Sequence, residues 1–202
     1  MQKKIISYRQ EEKYFLNFKE ISKILSKYNA SYQFPMRIVN SIYFDSLDFK
    51  NFIDSEEGIV PRKKVRLRWY GNSSKVPRDS LVEIKTTMPN YRIKETQRFK
   101  FESFKSLQSF LKNNLKAHLI PVCQISYKRY YYYSKLNKDL SFTYDFDIKY
   151  RRSDKHQFFI MPQNIFEIKQ KKDFSDQHFQ NILGDSHTRF SKYNEAVTKL
   201  KV

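Results

Sequence analysis

Nine consecutive residues, Arg62-Lys63-Lys64-Val65-Arg66-Leu67-Arg68-Trp69-Tyr70, constrain this chain more than any other segment. Side chains of a strand point alternately to its two faces. As a strand, the segment puts Arg62, Lys64, Arg66 and Arg68 on one face and Val65, Leu67 and Trp69 on the other. The alternation returns in Leu81-Val82-Glu83-Ile84-Lys85 and in Phe166-Glu167-Ile168-Lys169. Arg9, Glu11 and Lys13 share a parity, as do Arg92, Lys94, Arg98 and Lys100. A sheet with water on its polar face has no need to stack like charges in this way. A sheet curled around a polyanion does.

The 202 residues suit one domain over 1-202, since no Gly-, Ser- or Pro-rich linker, repeat or low-complexity run divides them. A formal net charge of +18 calls for an anionic partner such as nucleic acid, phospholipid or a phosphorylated molecule. The single cysteine, Cys123, excludes an internal disulfide and points to a reducing compartment. No apolar run approaches the ~18 residues of a membrane span, and the first residues carry no signal-peptide core. The expected location is therefore cytoplasmic.

Periodicity predicts strands near 5-16, 36-45, 62-70, 80-87, 91-101, 122-133, 140-150 and 157-169. Helical spacing appears in Phe18, Ile21, Leu25 and Tyr28 behind Asn17, with Glu20 placed for a capping box. It appears again in Phe104, Leu107, Leu111 and Leu115 behind Ser103, and in Tyr193, Val197 and Leu200 behind Ser191. Further helices are expected at 46-55 and 173-183. Paired strands with helices packed outside give an α+β fold rather than alternating βαβ units. Glu11 with Lys13, Glu83 with Lys85 and Glu167 with Lys169 repeat one mixed-charge unit three times. That favours a closed antiparallel eight-stranded barrel, whose lumen admits one thin ligand, over an open sheet.

Candidate inward cations are Lys13, Arg66, Arg68, Lys85, Lys94, Arg98, Arg129 and Lys169, opposed only by Glu11, Glu83 and Glu167. Such a wall is costly to bury without an anion. A polyphosphate supplies one, with Arg giving forked contacts and Lys point charges. The carboxylates suit Mn2+ or Mg2+, hard cations that bridge carboxylate and phosphate oxygens. Phosphoryl transfer asks for little beyond in-line positioning, a metal and cations. There is no P-loop motif, and His118, His156, His178 and His187 lack metal-ligand spacing with Cys123 and read as surface residues. The run Tyr127-Lys128-Arg129-Tyr130-Tyr131-Tyr132-Tyr133 reads as a two-sided aromatic strand, with base stacking as the alternative.

Together these segments resemble the polyphosphate polymerase domain of the vacuolar transporter chaperone family, within the triphosphate tunnel superfamily. The resemblance rests on Arg9-x-Glu11-x-Lys13-Tyr14, Ser41-Ile42-Tyr43-Phe44-Asp45-Ser46, Lys64-Val65-Arg66-Leu67-Arg68-Trp69-Tyr70-Gly71 and Glu83-Ile84-Lys85. It continues through Lys94, Arg98, Tyr127-x-Arg129, Phe166-Glu167-Ile168-Lys169 and Arg189-Phe190-Ser191-Lys192-Tyr193, in the same order. It implies a basic tunnel in which a growing polyphosphate chain attacks the γ-phosphate of ATP and ADP leaves. Lys13, Arg66, Arg68, Lys85, Lys94 and Arg129 would form the catalytic set. Arg98, Lys169, Arg189, Lys192 and Tyr127 would add substrate contacts, and Glu167 would hold the metal. Relatives work beside membrane channels, so a separate membrane-protein partner is expected. One departure stands out: the family strand reads Arg-x-Thr-x-Asp, and here it is Ser141-Phe142-Thr143-Tyr144-Asp145, with Arg151 or Arg152 as nearby substitutes. A lost arginine contact costs about 1.5–3 kcal/mol, the scale of a hydrogen bond to a charged group. The alternatives are a triphosphatase of the same superfamily, a non-enzymatic polyphosphate or inositol-phosphate binding domain and, least favoured, a nucleic-acid binder.

Overall fold

Val65, Leu67 and Trp69 are buried beneath a helix, and Arg66 and Arg68 point to the opposite side, so the alternation read in the sequence sets the layers of the molecule. The computed structural model describes residues 5–89, 91–170 and 188–201. Its elements are β1 (Ile5–Tyr14), α1 (Phe18–Lys27), β2 (Ala30–Asp45), α2 (Lys50–Glu56), β3 (Arg62–Tyr70), β4 (Asp79–Thr87) and β5 (Arg92–Lys100). Then come α3 (Phe104–Leu115), β6 (Ile120–Ser134), β7 (Leu140–Arg152), β8 (Phe159–Ile160), β9 (Ile165–Gln170) and α4 (Lys192–Leu200). The helix expected at 173-183, His178, His187 and the side chain of Arg9 lie outside the described residues. The fold is α+β, with one large antiparallel sheet and four described helices. Among the described residues no helix is long and apolar enough to cross a membrane.

The strand order is β6-β2-β3-β4-β5-β1-β9-β7-β8, and β6 also pairs with β7. This corrects the expected closed eight-stranded barrel in two ways. Nine strands are present among the described residues, because the segment expected at 157-169 is two strands. Pro162 has no N–H to give to a ladder, and residues 161–164 leave the sheet. The wall is also not regularly closed. Among the described residues β1 pairs with β5 through residues 5–9 and with β9 through residues 10–14. β2 starts at Ala30 instead of 36, through a stretch containing Pro35 and two register shifts. Pro35 is tolerated because β3 pairs only from Val39 onward, leaving that part of β2 at an edge.

The helices form where their caps and stripes place them. Asn17 accepts from Glu20 N and Glu20 accepts from Asn17 N, closing the expected box at α1. Ser103 makes the same reciprocal arrangement with Ser106 at α3, and Ser191 accepts from Asn194 N at α4. Each helix covers part of the sheet's outer face. α3 sets Leu107 and Leu111 against Ile42, Phe44, Val65, Leu67, Trp69 and Val82. α1 packs Ile21 and Ile24 on Tyr14, Phe142, Phe166 and Ile168. α4 brings Tyr193, Ala196, Val197 and Leu200 onto Val39, Ile125, Ile148 and the buried Cys123. The apolar face thus looks outward to helices and the charged face inward. His118 and His156 are exposed, as expected.

Asp45, fully buried, ties α2 and α4 to the end of β2. It accepts from Ser46 N at 2.8 Å, Asn51 N at 3.0 Å, Asn51 Nδ2 at 2.8 Å, Phe52 N at 3.0 Å and the Tyr193 hydroxyl. Leu107 is fully buried beneath the sheet and away from the charged face, so Leu107→Ala should cost about 2–5 kcal/mol in chemical denaturation. Affinity of the folded variant for anions should stay at the wild-type value, and a matching loss of affinity would show that the two faces are not independent.

Candidate functional site

The inward faces of β1–β7 and β9 line one cavity of about 1370 Å³, completed by residues 188–192 and the start of α4. Twelve Lys and Arg side chains line it against six Glu. Lys13, Arg66, Arg68, Lys85, Lys94, Arg129, Lys169, Arg189, Lys192, Tyr127 and Glu167 are all among the lining residues. Arg98 is not. It is exposed near the end of β5, opposite Leu81 and beyond the cavity, so its parity with Lys94 carried it past the mouth.

Register explains how the charges meet. Glu11 lies opposite Lys169 and Lys13 opposite Glu167 across β1–β9, so two Glu-x-Lys units on antiparallel strands make a square of alternating sign. Across β3–β4–β5, by contrast, Lys64, Lys85 and Lys94 stand side by side. Like charges directly opposite on a sheet are destabilising, and the carboxylates nearby offset this only in part. Glu83 receives Arg66 at 2.6 Å, Arg68 at 3.2 Å and Lys94 at 2.5 Å. Glu11 receives Lys85 directly and Arg92 at 3.5 Å. Asp145 takes a forked contact from Arg129, with Nη2 at 2.6 Å, and Lys192 at 2.5 Å. Tyr hydroxyls extend the network, Tyr43 accepting from Arg66 at 2.7 Å and Tyr127 from Arg68 at 3.1 Å.

The imbalance appears in the proton affinities. Burial pushes the Lys13 ammonium down to about 7, against the pull of Glu167. Burial also lowers Lys94 to about 8, although Glu83 opposes it. The carboxylates move the other way. Burial alone would raise Asp145, but Arg129 and Lys192 hold it at about 2. Burial is likewise overcome at Glu83 by Arg66, Arg68 and Lys94, and at Glu167 by Lys169, Lys13 and Arg129. The carboxylates are ionised and surrounded, while three of the lysines, Lys13, Lys64 and Lys94, hold their protons weakly, chiefly through burial. A set of this kind binds anions.

Ser141 lines the cavity directly opposite Lys169 and two residues from Thr143, whose hydroxyl accepts from Lys169 at 3.0 Å. Neither proposed substitute reaches it: Arg151 is engaged with Gln124 and the Lys155 carbonyl, and Arg152 with Asp154. Residues that sequence reasoning left out of the site include Arg62, Lys64, Arg92, Asp145 and Asn194. Lys64 and Arg62 share the parity of Arg66, a signal that was present. Asp145 and Asn194 depend on pairing between distant strands and on the return of α4, which no local pattern encodes. The tyrosine run is two-sided, with Tyr127 and Tyr131 lining the cavity and Tyr130 and Tyr132 packed outside around Tyr32.

Among the described residues no three His, Cys, Asp or Glu side chains converge as a metal cage. Glu167 instead faces the cavity with Lys169 at 3.5 Å and Arg129 at 3.7 Å, and Glu11 stands diagonal to it across the β1–β9 ladder. This donor set fits a hard cation that takes one or two carboxylates and fills its shell with phosphate oxygens and water.

A VTC domain family model matches residues 8–115 and 90–201. No curated protein sequence matches the chain. Among solved structures, the PH1819 protein of Pyrococcus horikoshii aligns with a TM-score of 0.59 at 14% identity, over 95% of this chain and 99% of its own. A proposed adenylate cyclase of Vibrio parahaemolyticus aligns at 0.56 and 13% identity, over 95% and 98%. A Hippeastrum protein, HpAC1, described as having a dominant triphosphatase activity, aligns at 0.50 and 7% identity, over 95% and 94%. At these identities the likeness is one of fold.

An anion beside Lys94 raises its proton affinity, so binding near pH 8 should take up protons. Affinity is then strongest below the free-state value of about 8 and falls as pH rises through it towards the bound-state value. Calorimetric titration with tripolyphosphate at pH 8, in two buffers of different ionisation enthalpy, should give different heats; equal heats would contradict this.

Proposed function

The chain belongs to the VTC domain family, and on that footing we propose that it is a polyphosphate polymerase, transferring the γ-phosphate of ATP to a growing polyphosphate chain in its basic cavity. The observation that carries this reading is the cation ladder of β3. Arg62, Arg66 and Arg68 line the cavity across six residue steps, roughly 20 Å at about 3.3 Å per residue. That is longer than a triphosphate needs and suits an extended chain.

In this reading a terminal phosphate oxygen of the acceptor attacks the γ-phosphorus, the bond to the β–γ bridging oxygen breaks, and ADP departs with that electron pair. Arg66, Arg68 and Arg129 are fixed by Glu83 and Asp145 before substrate arrives, so they meet the charge spreading over the transferred group without reorganising. Lys13, Lys85, Lys94 and Lys192 neutralise neighbouring phosphates. Lys169, Arg189 and Tyr127 extend the contacts. Glu167, with Glu11 beside it, would hold Mn2+ or Mg2+, which when bound draws charge from the phosphate oxygens. No protein nucleophile is required. Any membrane-protein partner that takes up the product would be a separate chain.

A second reading, release of phosphate from a triphosphate without chain growth, is favoured by the triphosphatase activity described for the Hippeastrum structure. Incubation of the pure protein with ATP and Mn2+ separates the two by product. The proposal expects ADP and polyphosphate together. ADP with free phosphate alone would replace it with the hydrolase, and the absence of any ADP would leave a binding domain.

Two sets of variants follow. Lys85→Ala and Glu167→Gln should both abolish turnover, and wild-type rates in both would remove the site from these residues. Ser141→Arg should tighten tripolyphosphate binding about tenfold, the equivalent of about 1.4 kcal/mol, as it restores a cation on the wall beside Lys169. Unchanged or weaker binding would show that Ser141 is not a missing contact.

A further inference from the structure

Lys64 lines the same cavity as Arg66 and Arg68 but is held in a different way. Arg66, Arg68 and Lys94 share Glu83, and Lys85 reaches Glu11. The Lys64 ammonium instead donates to two neutral oxygens, Ser191 Oγ at 2.7 Å and Asn194 Oδ1 at 2.7 Å. Both belong to the start of α4, where Ser191 is the N-cap and accepts from Asn194 N at 3.3 Å. Asn194 is held in turn through its Nδ2, which donates to Glu56 on α2. Neutral acceptors fix the direction of an ammonium without cancelling its charge. An ammonium has three donors, and α4 engages two.

The neighbours of Lys64 add to the charge instead of relieving it. Lys85 stands directly opposite on β4, and Lys94 stands opposite Lys85 on β5. Among the described residues no carboxylate lies within ion-pair distance of the Lys64 ammonium. The position therefore combines an oriented ammonium, a third donor and an adjacent row of cations, all facing one cavity.

We infer that Lys64 is a further substrate-binding residue that donates to a phosphate oxygen, and that Ser191 and Asn194 are positioning residues that aim its ammonium. The inference rests on the reading of the cavity as a polyphosphate site, and it deepens that reading. Lys64 carries the phosphate track from Arg66 and Arg68 towards Arg62 and Arg92. It also ties occupancy of that track to the seating of α4, whose first turn supplies both acceptors.

The test is calorimetric titration with tripolyphosphate, and with a polyphosphate of tens of units, on the full chain. Lys64→Gln retains an N–H donor for α4 but lacks the charge; Lys64→Arg retains the charge. Lys64→Gln should lose at least tenfold in affinity while its ligand-free melting temperature is equal to or above wild type, because a cation beside Lys85 has been removed. Lys64→Arg should recover most of the affinity. Ser191→Ala should weaken binding by a smaller factor, and that factor should vanish in the Lys64→Gln background. If the residue is only a strut for α4, Lys64→Gln will melt lower and bind as wild type, which overturns the inference and leaves the polyphosphate reading intact. If the wild-type protein binds neither probe, the reading of the cavity and this inference fall together.

Discussion

A wall of cations with too few carboxylates to neutralise it is the constraint on which the rest of this structure depends. Inside a protein, charges are poorly screened, and a cation without a counter-charge is expensive. Three carboxylates meet most of the demand. Glu83 gathers Arg66, Arg68 and Lys94; Asp145 gathers Arg129 and Lys192; Glu11 gathers Lys85 and Arg92. The row Lys64, Lys85 and Lys94 still sets like charges side by side. The protein keeps this unfavourable arrangement in place through the apolar packing on the other side of each strand. α1, α3 and α4 each cover a buried cluster there, and the net is a fold with its polar surface turned inward.

How well the sequence foretold this depended on whether the relevant signal was local. The parity of β3 placed Val65, Leu67 and Trp69 outward and Arg66 and Arg68 inward, because a strand's alternation needs no knowledge of its partners. The caps at Asn17, Ser103 and Ser191 were equally legible, since a cap is made within four residues. Arg98 shows the limit of the same reasoning: parity gives the face but not the height, and at its height the cavity has ended. That β1 pairs with β5 through residues 5–9 and with β9 through residues 10–14 was out of reach, because it depends on strands distant in the chain. Pro35 and Pro162 act in opposite senses. The first sat within a strand edge that tolerated it, and the second broke what looked like one strand into two.

The same division holds for the site. The mixed Glu-x-Lys units were visible as a repeated pattern, but only antiparallel register makes them into alternating squares on β1 and β9. Asp145 appeared in the sequence merely as a neighbour of Ser141, yet it is the anchor for Arg129 and Lys192. Asn194, which meets Lys64 across 130 residues of chain, depends on α4 returning to the mouth of the sheet. Asp45 secures that return from a buried position through Tyr193. The chemistry was therefore legible as a set of residue types and faces, and the pairings that tune it were not.

The charge imbalance suits a chain of phosphates within the cavity. The most direct measurement is a crystal structure with tripolyphosphate and Mn2+ bound, with the metal located by its anomalous signal. Phosphate density is expected inside the cavity against Arg66, Arg68, Lys85 and Lys94, with the metal peak beside Glu167. Phosphate bound only to the outer surface, with the cavity free of it at saturating ligand, would show that the cavity is not a phosphate site.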